Sequence, residues 1–173
     1  MTESVFENKY DLVSYLYSKL NNPTNLKVQK AMYLLWGFYA GTYGSLERDA
    51  DNNASYPSYL FEPNFEAWRY GPVDSELYGY IKRETKFGTD GVSPMDFLSE
   101  HVSKNIKDYP QKFNNIVSFL RNLVDQIDKT DDFALVARTH EDSSWENVYR
   151  EGEMHLKMSA DDIKKEYAHK LNV

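Results

Sequence analysis

Residues 24–41 read Thr-Asn-Leu-Lys-Val-Gln-Lys-Ala-Met-Tyr-Leu-Leu-Trp-Gly-Phe-Tyr-Ala-Gly. Val28, Ala31, Met32, Leu35, Phe38 and Tyr39 recur at three- and four-residue spacing, which sets them on one face of a helix. Leu34 and Trp36 add apolar surface away from that face. The helix is therefore expected to be covered on most sides, at the centre of a small α-domain. Thr24 suits the cap position and Gly41 the stop, while Lys27, Gln29 and Lys30 make the first turns polar.

The flanking segments follow the same periodicity. Leu12, Val13, Leu16, Tyr17 and Leu20 predict a helix over about 4–20, closed by Asn21-Asn22-Pro23. Residues 44–59 collect Asp, Asn, Ser and Pro without periodicity and read as a surface loop. From Leu60 to Tyr70 apolar Phe61, Phe65 and Ala67 alternate with polar neighbours, so a short hairpin or extended excursion is expected, with Gly71 as its turn. Pro72 suits a first helical position, and Asp74 and Glu76 suit the positive end of a helix Val73–Lys82. Residues 84–93 read as loop, and Ser93-Pro94 opens a brief helix through His101. Phe113, Ile116, Val117, Leu120, Leu123, Val124 and Ile127 give the cleanest stripe, a helix over 110–128. Thr130 is placed as the cap of a helix through about Thr139, residues 144–150 add a turn or two, and Ser159 opens a last helix with Ile163, Tyr167 and Leu171 inward. The expected fold is mainly α: a single compact multi-helix domain, residues 1–173, around a central apolar helix.

Composition narrows the function. The 173 residues carry 20 Lys and Arg against 27 Asp and Glu, a net charge of -7, the wrong sign for a protein held mainly by nucleic-acid phosphates or an anionic membrane. Nine acidic and four basic residues fall within 51–100, so the middle of the chain reads as an acidic face. The absence of cysteine removes disulfide scaffolds, thiolate nucleophiles and cysteine-ligated metals. Glu3 and Glu7 stand where a secretory signal needs positive charge, and no apolar run approaches the ~20 residues of a membrane span. The expectation is a cytoplasmic protein without membrane contact.

Enzyme signatures are lacking. His101, His140, His155 and His169 have no metal-ligand spacing, and there is no phosphate loop, dinucleotide fingerprint or nucleophile elbow. His140 beside Glu141 and Asp142 has the makings of a proton shuttle, but no nucleophile accompanies it, and capping or packing is the plainer role. No catalytic residue, cofactor or metal is assigned. Lys27, Lys30, Lys82, Arg83 and Lys86 could touch phosphate, yet the central helix is too apolar to lie in a groove, and direct nucleic-acid binding is not expected. With 14 tyrosines and 3 tryptophans, an interaction protein follows more readily than an enzyme.

Three segments in order carry a resemblance. Leu26 to Tyr39 resembles the KLQKLLYLAQGWYLA helix of the SocA-like antitoxin family, the Panacea domain, linked to phage-associated GepA-type proteins. Leu60 to Val73, with Glu66-Ala67-Trp68-Arg69-Tyr70-Gly71-Pro72-Val73, resembles the family's F-x-x-x-(I/F)-E-A-W-x-Y-G-P-V block. His140-Glu141-Asp142-Ser143-Ser144-Trp145 resembles its H-E-x-x-(P/A)-W block. The motif residues are Lys27, Gln29, Lys30, Tyr33, Glu66, Trp68, Tyr70, Gly71, Pro72, Val73, His140, Glu141 and Trp145. Val28 stands where leucine is more usual, and Ser144 where proline or alanine often stands.

The resemblance implies a non-enzymatic, α-rich antitoxin that neutralises a cognate protein toxin by direct binding. The alternatives are a phage or mobile-element protein that inhibits a host defence factor such as a CRISPR nuclease, or an adaptor that delivers its partner to a protease. The motif residues are expected to hold the scaffold: Trp68 and Trp145 staple the excursion and the late helix onto the central helix, while Lys27, Lys30 and His140 bond loop carbonyls or carboxylates there. Specificity is expected from loops, with Asp49, Asp51, Tyr56, Tyr59, Lys86, Phe87 and Asp90 as candidate partner contacts.

Overall fold

A computed structural model describes residues 3–44, 56–84 and 86–171. Helix α2, Asn25–Tyr39, forms where the apolar stripe places it, and the Thr24 side chain accepts the Lys27 N–H. Twelve of its fifteen residues are buried. The expected stop at Gly41 does not occur. Instead the helix widens into a π-turn over Ala40–Gly44, and Gly41 is the place where the last helix presses in: a Cβ there would lie 2.6 Å from Leu171 Cδ1 and 2.8 Å from the Tyr167 carbonyl.

Around α2 lie α1 (Lys9–Lys19), a hairpin of β1 (Phe65–Trp68) and β2 (Gly71–Asp74), and α3 (Ser75–Arg83). These are followed by α4 (Pro94–His101), α5 (Lys104–Lys107), α6 (Pro110–Asp128), α7 (Asp132–His140), α8 (Ser143–Glu146) and α9 (Ala160–Leu171). The fold is mainly α, nine helices and one two-stranded hairpin among the described residues. One core runs from Val5 to Tyr167, with Trp36, Tyr33, Tyr39 and Met32 at its centre. No helix among the described residues is long and apolar enough to cross a membrane.

Several boundaries move for identifiable reasons. The first helix starts at Lys9 and not at residue 4, because Val5 and Phe6 donate their N–H groups to Tyr59 and Leu60 carbonyls and Asn8 caps the helix. Pro72 lies in β2 opposite Ala67, not at a helix start. The Asp74 carboxylate accepts from the Glu76 and Leu77 N–H groups, so α3 begins at Ser75. Asp131, not Thr130, caps α7, while the Thr130 hydroxyl donates to the Gln126 carbonyl. Residues 144–150 hold only the single turn α8, and α5 carries one buried apolar residue, Ile106, too few for periodicity to mark. At the end of α9, Ile163 and Tyr167 are fully buried but Leu171 is 42% exposed. Two members of the expected acidic face, Glu66 and Asp74, are internal.

Candidate functional site

The three motif segments meet at the turn of the hairpin. β1 and β2 pair antiparallel from Phe65↔Asp74 to Trp68↔Gly71, leaving Arg69 and Tyr70 as a two-residue loop. Gly71 closes this loop at φ +102, a conformation that disfavours a side chain, and a Cβ there would come within 2.4 Å of Thr139 Oγ1. The tip therefore lies hard against α7.

Side chains from the other two segments grip the loop by its backbone. Trp145 Nε1 donates to the Trp68 carbonyl at 2.8 Å, and His140 Nε2 is 3.0 Å from the Arg69 carbonyl. Lys30 Nζ donates to the Pro72 carbonyl at 2.9 Å. Gln29 Oε1 accepts the Asp74 N–H at 3.0 Å while Nε2 reaches the Asp74 carbonyl at 3.5 Å. Because carbonyls accept, His140 must carry its proton on Nε2 to bond Arg69. Its ring stacks on Trp145 at 4.0 Å, and Trp145 stacks on Tyr149 at 4.9 Å.

Lys30 is 1% exposed, and burial lowers its pKa from 10.5 to about 7. Lys27 also bonds a carbonyl and a carboxylate, but at another corner: its Nζ is 3.4 Å from the Asp128 carbonyl and 3.8 Å from Asp132. Glu66 accepts from Trp68 Nε1 at 3.0 Å and faces His155 and Lys157, each at 3.5 Å. Burial opposes its charge, but the Trp68 bond and the neighbouring cations hold its carboxyl below the ordinary pKa. Val73 is buried, Trp68 is half-buried, and Tyr70 is 49% exposed beside exposed Arg69. Glu141 is exposed and is not among the hydrogen-bond partners of His140, so the adjacent pair in sequence makes no acid–base dyad.

The strongest polar centre behind the tip is Asp142, which is fully buried. Its carboxylate accepts from Tyr33 and Tyr167 hydroxyls, each at 2.6 Å, from Lys170 at 2.6 Å and from Arg138 at 2.8 Å. Burial would raise the Asp142 pKa, but the bonds from Lys170, Tyr167, Tyr33 and Arg138 hold it below 3.8. One residue on, Glu166 accepts the Ser143 and Ser144 N–H groups at 2.6 and 2.9 Å, which fixes the start of α8 to α9. Of this network the sequence singled out Tyr33, the run through Asp142, and Tyr167 as an inward position of the last helix. Arg138 lies one turn before Asp142 as a local i,i+4 pair, whereas Glu166, Tyr167 and Lys170 reach the network from α9.

The expected loop contacts are placed differently from one another. Asp49 and Asp51 lie outside the described residues. Tyr56 accepts from Asn115 Nδ2 at 2.9 Å, Tyr59 packs on Trp36 at 5.4 Å, and Phe87 stacks on Tyr17 at 4.4 Å, so these rings lie against the body of the protein. Lys86 and Asp90 are exposed. None of the five shares the hairpin tip with the motif residues. Next to the tip the surface opens into a cleft of about 330 Å3, walled by Leu26, Trp68, Val73 and Tyr78, with Asn25, Lys30 and Arg69 among its polar groups.

No family model, curated protein or solved structure matches the chain. Among the described residues no cluster of three or more metal-ligating side chains occurs.

Proposed function

We propose that this protein is a cytoplasmic antitoxin that neutralises a cognate protein toxin by binding it directly, without chemistry of its own. The reading rests on the three-block resemblance to SocA-like antitoxins. The observation that carries it is the division of labour at the hairpin: Trp145, His140 and Lys30 hold the Trp68, Arg69 and Pro72 carbonyls, while the Arg69 and Tyr70 side chains remain exposed. Residues whose side chains hold backbone are scaffold. A rigid loop that displays arginine and tyrosine is the kind of surface on which binding energy concentrates, because little ordering entropy remains to be lost.

Co-expression with the product of the neighbouring gene tests this function. Growth rescue with a stable stoichiometric complex is the expected result. A toxic neighbour that is neither bound nor neutralised would overturn it.

A further inference from the structure

Several cations of this protein are held in ion pairs. Lys9, Lys27, Arg138 and Lys170 each lie within 4 Å of a carboxylate. The lining of the cleft beside the hairpin tip includes Lys30 and Arg69 and no carboxylate. Lys30 is buried against the Pro72 carbonyl, Arg69 lies 5.6 Å from the Tyr70 ring, and Lys82 lies 5.4 Å from the Tyr78 ring. Among the described residues none of these three has a carboxylate partner, in a chain where acids outnumber bases 27 to 20. Lys30 holds the Pro72 carbonyl with one of the three N–H donors of its amine, which leaves donors for a second partner.

One polar atom in the cleft is unsatisfied. Asn25 Oδ1 is buried and accepts no hydrogen bond among the described residues. Such atoms are rare in folded proteins, and each one needs a partner or a reason. The walls supply apolar area: the Trp68 and Tyr78 rings lie 5.0 Å apart, with Leu26 and Val73 behind them.

We propose that this cleft binds an acidic segment of a protein partner, seating an aromatic or branched apolar side chain against Trp68 and Tyr78 and a neighbouring carboxylate against Lys30 and Arg69. A backbone N–H of the same segment satisfies Asn25 Oδ1. The lowered Lys30 pKa is consistent with an amine that lacks a counter-charge until the carboxylate arrives. A single carboxylate is favoured over a nucleic-acid phosphate chain, because the net charge of -7 repels an extended polyanion while leaving a short-range pair intact. The proposal deepens the antitoxin reading by assigning the chemistry of the toxin segment.

The test needs no toxin, so its failure is separate from failure of growth rescue. The 15N-labelled protein is titrated with N-acetyl-Trp-Glu-amide, N-acetyl-Trp-Gln-amide and adenosine monophosphate, following backbone amide shifts. The Glu dipeptide is expected to shift Leu26, Gln29, Lys30 and Trp68 to Tyr70 saturably, at least about tenfold more tightly than the Gln dipeptide, the ratio one charge-assisted hydrogen bond supplies. Arg69→Ala, at an exposed position that leaves the fold intact, is expected to weaken the Glu dipeptide and narrow that ratio. Equal affinity for the two dipeptides, shifts confined to other surfaces, no shifts at millimolar probe, or tighter binding of the nucleotide would each overturn the proposal.

Discussion

Lys30 Nζ donates to the carbonyl oxygen of Pro72 at 2.9 Å, joining the central helix to the second strand through an amine that is almost wholly buried. Its pKa is about 7 in the folded protein and 10.5 when exposed. Between those values the unfolded chain binds more protons than the folded one, so this group makes stability rise with pH. Below about 7 its penalty is complete. Urea unfolding of wild type and Lys30→Met across pH 6 to 10 is expected to show wild type gaining stability relative to the variant as pH increases. Parallel curves would mean that Lys30 titrates normally.

Asp142 has the opposite sign. Its carboxylate is held charged below 3.8, so it stabilises the fold above that value and loses this contribution as pH falls through 3.8 and lower. Asp142→Ala removes the carboxylate of Arg138, leaves Lys170 only Glu166 at 3.7 Å, and takes the 2.6 Å acceptor from two buried hydroxyls. A loss of about 3–5 kcal/mol is expected from chemical denaturation, the range for breaking a buried pair by removing one partner. Asp142→Asn keeps the shape and is expected to lose less.

Gly71→Ala combines positive φ with a collision at Thr139, whereas Gly88, at φ +135, has nothing within 4 Å of an added Cβ. Gly71→Ala is therefore expected to lose more than about 1 kcal/mol, and more than Gly88→Ala. Equal losses would assign the effect to backbone strain alone and remove the close approach of the tip to α7.

Trp145 is 9% exposed and carries the bond to the Trp68 carbonyl, while Trp68 is only half-buried. Trp145→Ala is expected to lower stability by ~3–5 kcal/mol, and Trp68→Ala by less. The melting temperatures of the two variants rank them directly.

Much of this architecture was legible because it is local. The stripe of α2, the Ser93-Pro94 start of α4, the long stripe of α6 and the Gly71 turn each follow from spacing or from a single residue's backbone preference. What was missed depends on groups far apart in the chain. Val5 and Phe6 are extended because residues 59 and 60 offer carbonyls, and Pro72 lies in a strand because Asp74, two residues later, is the better cap. The candidate site divides in the same way. Lys30, Trp68, His140 and Trp145 were named from motifs, and bonds to carbonyls were expected. The cleft beside them was not legible, since it is formed by Asn25 and Leu26 of α2 meeting Tyr78 of α3 across the hairpin.

The central claim is that the hairpin tip binds the toxin. It is tested most directly by isothermal titration of the co-expressed toxin with wild type and with Arg69→Ala/Tyr70→Ala, both side chains being exposed. The account predicts an unchanged melting temperature and at least about a hundredfold loss of affinity, as expected for two central interface residues. Undiminished affinity in a folded double variant would contradict it.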